Sequence, residues 1–116
     1  MPSLEMIDAS NWEAFTQSSV AVLMLGKSDC SKCDAWTKEL TEFLSSDDEF
    51  AHVRFGKLLL DTPGLIAFKK ANPWLAEVDV LPFNVIYVAG ERVKTFAGSG
   101  LDRLRNRLRK VAEAPA

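Results

Sequence analysis

Six consecutive apolar residues, Val20-Ala-Val-Leu-Met-Leu25, constrain this chain more than any other stretch. The run is far too short to cross a bilayer, and it lacks the alternation of a strand with one wet face. It reads as a strand buried on both faces, so the sheet around it needs a layer of cover on each side. The rest of the chain is patterned to supply that cover.

Leu4 to Ile7 reads as a short first strand, followed by a helix over Asn11 to Gln17 capped by Asp8 or Ser10. After the apolar strand and a loop over Gly26 to Asp29, Cys33, Trp36, Leu40, Phe43 and Leu44 recur at spacings of three and four, which predicts a helix from Ser31. Ser45-Ser-Asp-Asp ends it. His52 to Leu60 reads as a strand entering the core. Asp61-Thr-Pro-Gly opens a helix to about Ala71, where Asn72-Pro73 stops it. Phe83 to Ala89 is β-branched and aromatic, Ala89-Gly90-Glu91 is a tight turn, and Arg92 to Phe96 is the hairpin partner. A last helix carries Leu101, Leu104, Leu108 and Val111 as one stripe, with Arg103, Arg105, Arg107 and Arg109 facing away.

The order β-α-β-α-β-α-β-β-α predicts an α/β fold of three layers, α/β/α, around a central mixed sheet. The early strands pair in parallel and the closing hairpin antiparallel. With 116 residues and no linker or repeat, residues 1–116 are expected to form one domain. Net charge is −2, which draws the chain toward neither nucleic acid nor an anionic membrane. The arginine row lacks the interleaved aromatics that base stacking wants, so it reads as a solvated face. The N-terminal residues are not patterned as a signal peptide, and a cytoplasmic protein is the default expectation.

Both cysteines lie in Ser28-Asp-Cys-Ser-Lys-Cys-Asp34. At i and i+3 on a helix start, their Cβ atoms sit roughly 5–6 Å apart on one face. A disulfide closing so small a loop restrains the unfolded chain little, which argues against a structural staple. A closed zinc site wants four ligands, and the chain has one histidine, His52, distant in sequence. No metal and no cofactor are expected. Redox chemistry needs a thiolate, and unpaired N–H groups at a helix N-terminus favour one. Cys30 stands at that point, and Cys33 lies one turn inward. Cys-x-x-Cys beside a β-α-β pattern is a recognised redox combination.

These residues, taken in order, resemble thioredoxins from about Leu4 to Val111. Lys57-Leu-Leu-Leu-Asp61-Thr-Pro-Gly looks like the family's third strand and the turn after it. Leu81-Pro82-Phe83 stands where the family keeps its cis-proline, Gly90-Glu91 matches its hairpin turn, and Thr95-Phe-Ala-Gly98 resembles the border of its substrate groove. The resemblance implies the thioredoxin fold and a thiol-disulfide oxidoreductase, most simply a protein disulfide reductase. Cys30 is then the nucleophile and Cys33 the resolving thiol. Leu81, Pro82, Phe83 and Gly98 form a peptide-binding edge, with the N–H and C=O of Leu81 pairing with an extended substrate. The implied partners are protein or peptide disulfides and a reductase or other thiol electron donor, with the chain acting as a monomer and binding neither nucleic acid nor membrane.

The chain also departs from the family. Where thioredoxins read Trp-Cys-Gly-Pro-Cys, it reads Asp29-Cys30-Ser31-Lys32-Cys33. Asp29, Ser31 and Lys32 are therefore expected to modulate the dithiol, since every 30 mV of potential is about 1.4 kcal/mol. The family's buried acid, linked to proton transfer at the resolving thiol, is matched here by Met24. Lys57 resembles a family lysine near that acid, and either approaches the sulfurs or reaches solvent at the sheet's end. Without the acid, activation of Cys33 and turnover at neutral pH are expected to be slow. The segment Asp61 to Pro82 is longer than the family norm. Its Asn72-Pro-Trp-Leu75 either forms a lip beside the site or packs Trp74 against the sheet. The competing reading of the whole chain is a thioredoxin-fold binding module with incidental thiols, because fold alone does not establish function.

Overall fold

The structure, a computed structural model, describes residues 3–113. Positions 1–2 and 114–116 of the expected domain lie outside the described residues. The elements are β1 (Leu4–Ile7), α1 (Trp12–Thr16), β2 (Val20–Gly26), α2 (Ser31–Ser46), β3 (Arg54–Leu59), α3 (Ile66–Ala71), a 3-10 helix (Pro73–Glu77), β4 (Phe83–Val88), β5 (Glu91–Ala97) and α4 (Leu101–Glu113). One five-stranded sheet runs β1-β3-β2-β4-β5. β3 pairs in parallel with both β1 and β2, whereas β4 pairs antiparallel with β2 and with β5.

The apolar run forms the central strand β2, and Ala21 through Gly26 are all buried. Its alternate residues feed two separate cores. Val22 and Met24 join Phe55, Ile86 and Phe96 under α2 and α4, packed by Trp36, Leu40, Leu104 and Leu108. Ala21, Leu23 and Leu25 join Ile7, Leu58, Val85 and Tyr87 under Phe15 of α1 and Phe68 of α3. A strand without a polar residue thus serves as the wall of both layers, as its composition requires.

Three local expectations are corrected. Neither Asp8 nor Ser10 caps α1 through its side chain: the Asp8 carboxylate accepts from Ser10, and the N-cap is Asn11. The Asn11 amide turns back instead, donating to the Met6 carbonyl at 3.1 Å and accepting from the Asp8 N–H at 2.7 Å. The third helix starts only at Ile66, because Gly64 takes φ +88°, a left-handed turn no helix can contain. Three of the four arginines of α4 do not face away. Arg103 and Arg107 lie over the Phe96 ring, each at 4.9 Å, and Arg105 lies over Phe43 at 4.9 Å. Arg105 also pairs with Asp47 at 3.1 Å, and Arg109 with Glu49. Arg103, Arg105 and Arg107 thus flank the leucine stripe and cover the edges of the core, whereas Arg109 stays exposed and is held by Glu49 alone.

Trp74 packs rather than forming a lip. Its ring lies 6.3 Å from Phe83, Arg92 covers it at 4.4 Å, and its indole N–H donates to Asn72 at 3.2 Å. The extra residues before Pro82 form the 3-10 helix that makes this packing possible.

Candidate active site

The site is assembled where β2 ends. Leu60 N–H donates to the Gly26 carbonyl at 2.8 Å, carrying the pairing of β2 with β3 to the last strand residue. The next turn of chain is held across the sheet end by Asp61. Its carboxylate accepts from the Ser28 backbone N–H at 3.0 Å and from the Ser28 hydroxyl. The Ser28 hydroxyl, the Ser28 N–H and the nearby Lys27 charge together hold the Asp61 carboxyl below its ordinary range. Asp29 follows at φ +57°, a left-handed backbone that aspartate tolerates better than an aromatic or branched residue.

Cys30 is the N-cap of α2, extended at φ −127°, ψ 104°. Its sulfur accepts from the Cys33 N–H at 3.2 Å, the place a serine or aspartate oxygen takes in an ordinary cap. The helix end therefore directs an N–H at this sulfur, which favours its thiolate when the pair is reduced. Cys30 is half-buried and Cys33 fully buried, and the two are joined in a disulfide with Cα atoms 5.2 Å apart. Gly26 makes room for this arrangement. A Cβ at that position would sit 3.3 Å from both Cβ and Sγ of Cys33, tighter than ordinary contact.

The Leu81-Pro82 bond is cis. The Leu81 side chain packs on both cores, one of which also carries Cys30 and Cys33. Among the described residues nothing in the chain bonds to the Leu81 N–H or C=O, leaving one donor and one acceptor of this segment unpaired. Gly98 is tied to this segment, its N–H donating to the Pro82 carbonyl at 2.7 Å. Phe83 is placed apart from this group. It opens β4, but its ring packs on Trp74 in the α1 and α3 layer, across the sheet from Cys33.

The remaining candidates separate by exposure. Ser31 and Lys32 are exposed on the first turn of α2, and Asp29 is exposed before it. Met24 is fully buried, with the Thr37 hydroxyl 3.7 Å from its sulfur; the same hydroxyl donates to the Cys33 carbonyl at 2.8 Å. Lys57 is half-buried in the register position beside Met24, and makes no ion pair among the described residues. Among the described residues no group of three or more His, Cys, Asp or Glu side chains is placed to hold a metal ion, and no helix is long and apolar enough to cross a membrane.

Sequence reasoning missed one residue here. Asn84 is fully buried in β4, between Met24 of β2 and Phe96 of β5. Its Oδ1 accepts from the Trp36 indole N–H at 2.8 Å, and its Nδ2 donates to the carbonyls of Gly98 at 2.8 Å and Phe96 at 3.3 Å. The available signal was a lone amide inside an otherwise apolar strand, Phe-Asn-Val-Ile-Tyr-Val, which must find partners if buried.

No protein-family model and no curated protein sequence matches the chain. Solved structures do match it in shape. The long form of thioredoxin f from spinach chloroplast superposes with a TM-score of 0.78 at 16% identity, covering 96% of this chain and 88% of that one. Thioredoxin from Trypanosoma brucei brucei gives 0.76 at 20% identity, over 97% of this chain and 94% of its own. Thioredoxin f2 of Chlamydomonas reinhardtii gives 0.73 at 20% identity, over 98% and 100%. Sheet order, crossovers and the position of the disulfide-forming Cys-x-x-Cys pair all lead to one statement: this chain has the thioredoxin fold.

Proposed function

We propose that the chain is a thiol-disulfide oxidoreductase acting on protein or peptide disulfides, in the direction of reduction. One observation carries the reading: a capping, half-exposed cysteine is joined to a buried one, and the segment before the cis-proline, packed on the same core, keeps an unpaired donor and acceptor. In the reduced protein the Cys30 thiolate attacks one sulfur of the substrate disulfide. A mixed disulfide forms, and the substrate's other sulfur leaves as a thiolate that takes up a proton. Cys33 then loses its proton and attacks the Cys30 sulfur. The second substrate thiol is released, and two electrons have passed from the dithiol to the substrate. A reductase or other thiol electron donor restores the pair. Leu81 pairs with the substrate backbone as an added strand, while Pro82 and Gly98 border the contact and the ring of Phe83 supports it from behind. Asp29, Ser31 and Lys32 tune the potential, and Lys57 acts on the buried end of the site. The protein works as a single-domain monomer in a reducing compartment such as the cytoplasm.

The test is a Cys33→Ser variant mixed with protein disulfides. Mixed disulfides through Cys30 should accumulate, dissolve on addition of a dithiol, and disappear when Cys30 is also replaced. Partners that stay bound in the presence of reductant would instead identify a binding module. A redox titration of Cys30–Cys33 then gives the direction of exchange, a potential near that of a disulfide-forming oxidant counting against the reductase reading.

A further inference from the structure

Four hydrogen-bonded groups form a continuous path from the dithiol helix to the cis-proline edge. Trp36 lies three residues beyond Cys33 on α2, fully buried, and its indole N–H reaches Asn84 across the sheet at 2.8 Å. Asn84 in turn holds the Gly98 carbonyl at 2.8 Å, and the Gly98 N–H holds the Pro82 carbonyl at 2.7 Å. The three links of this path join four different elements: α2, β4, the turn after β5, and the segment before β4.

Packing alone does not need an amide at this position. Met24, Phe96 and Ile86 around Asn84 are apolar, and a leucine, with the same branched skeleton though a larger volume, matches such a neighbourhood in polarity. A buried amide is stable only when its groups are paired, and here Asn84 makes three bonds. Those bonds are also the polar partners of two groups that the strands leave out: the Trp36 indole and the carbonyl of Gly98, where the chain turns away from β5 at φ +82°. Gly98 thus has both its N–H and its C=O occupied internally and presents only its CH2 face to a substrate.

We infer that Asn84 is a positioning residue: through Trp36 on one side and Gly98 on the other, it sets where the Leu81-Pro82 edge stands relative to the Cys30 and Cys33 sulfurs. The inference rests on the disulfide exchange proposed above. It makes Asn84 a determinant of how tightly an extended substrate docks, without touching the reacting atoms. Disulfide exchange requires three sulfurs in line, so a loosened edge weakens the docking of a protein substrate while the chemistry of the docked complex is retained.

Asn84→Leu is the direct test, read in two ways. The KM for a protein disulfide such as oxidised insulin should rise about tenfold with kcat changed less than about twofold, the size of one substrate hydrogen bond lost at the loosened edge. By amide hydrogen exchange, the Gly98 N–H should lose about tenfold of its protection relative to amides in β2. A merely structural role lowers thermal stability and leaves KM where it was. A folded variant with unchanged KM overturns the inference, whether or not its Gly98 protection falls. If the single variant does not fold, Trp36→Phe with Asn84→Leu replaces the polar pair by an apolar one, and the same two outcomes decide. Should the unaltered protein reduce no disulfide, the proposed function falls, while Gly98 protection still decides whether Asn84 holds the edge.

Discussion

At the scale of single residues, burial outweighs the neighbouring charge at one polar group, the Tyr87 phenol. Tyr87, the one tyrosine of the chain, is 4% exposed, and its hydroxyl has no hydrogen-bond partner among the described residues. Burial pushes its phenol up to about 12, against a smaller opposing pull from Arg92. Since the folded value lies above the unfolded one, the stability contributed is complete below the unfolded value near 10 and is lost as pH rises through about 12. Phenolate absorbance of the native protein should therefore appear only near the alkaline unfolding transition. Tyr87→Phe removes an unpaired buried hydroxyl and should change unfolding free energy by less than about 1 kcal/mol, or raise it. A loss of several kcal/mol on urea unfolding would mean that the hydroxyl has a partner. Asn84 is the opposite case, a buried polar residue whose amide groups are engaged in three bonds.

At the scale of elements, the residues that build each piece also decide what the site lacks. β2 gains its place at the centre of the sheet by carrying no polar side chain, and for that reason offers no proton carrier to Cys33. Met24→Asp tests both consequences. A carboxyl placed among Val22, Phe55 and Ile86 should cost about 3 kcal/mol or more in urea unfolding, and titrate well above the ordinary carboxylate range. It should also speed release of the mixed disulfide at neutral pH, measured by stopped flow. Release as slow as in the unaltered protein would show that the absence of an acid is not what limits turnover. On α2, the stripe of Cys33, Trp36, Leu40, Phe43 and Leu44 was legible because a helix facing a sheet repeats its apolar residues at three and four. The arginines of α4 were misread because periodicity reports which positions face the core centre. It does not report that long side chains at the flanks fold back over Phe43 and Phe96.

At the scale of the whole molecule, the site exists because two crossovers on opposite faces meet at one end of the sheet. α2 leaves β2 across one layer and α3 leaves β3 across the other, so the loop before Cys30 and the turn after β3 lie side by side. The Asp61 carboxylate bridges them through Ser28. Its value is depressed, so the contribution of this bridge is present above the usual carboxylate value of 3.8 and is lost as pH falls through the lower folded value. NMR titration of the Asp61 carboxyl should show a midpoint below 3.8, and Asp61→Asn should increase exchange of the Ser28 amide at neutral pH. An ordinary midpoint with an unprotected Ser28 amide would show that the bridge does not hold the loop in solution.

The division between what was legible and what was not follows from the range of the forces involved. The amino-acid sequence by itself determined the five strands and four α-helices, their order and the dithiol at a helix start, because apolar periodicity acts within a few residues. The 3-10 helix and the cap of α1 escaped it. Only the tertiary structure decided that Ser28 is held by Asp61, that Phe83 faces away from the sulfurs, and that Trp36 and Asn84, 48 residues apart, share a buried hydrogen bond. Those contacts depend on strand register and on which face each side chain takes, and neither is fixed until the two cores have closed on the central strand.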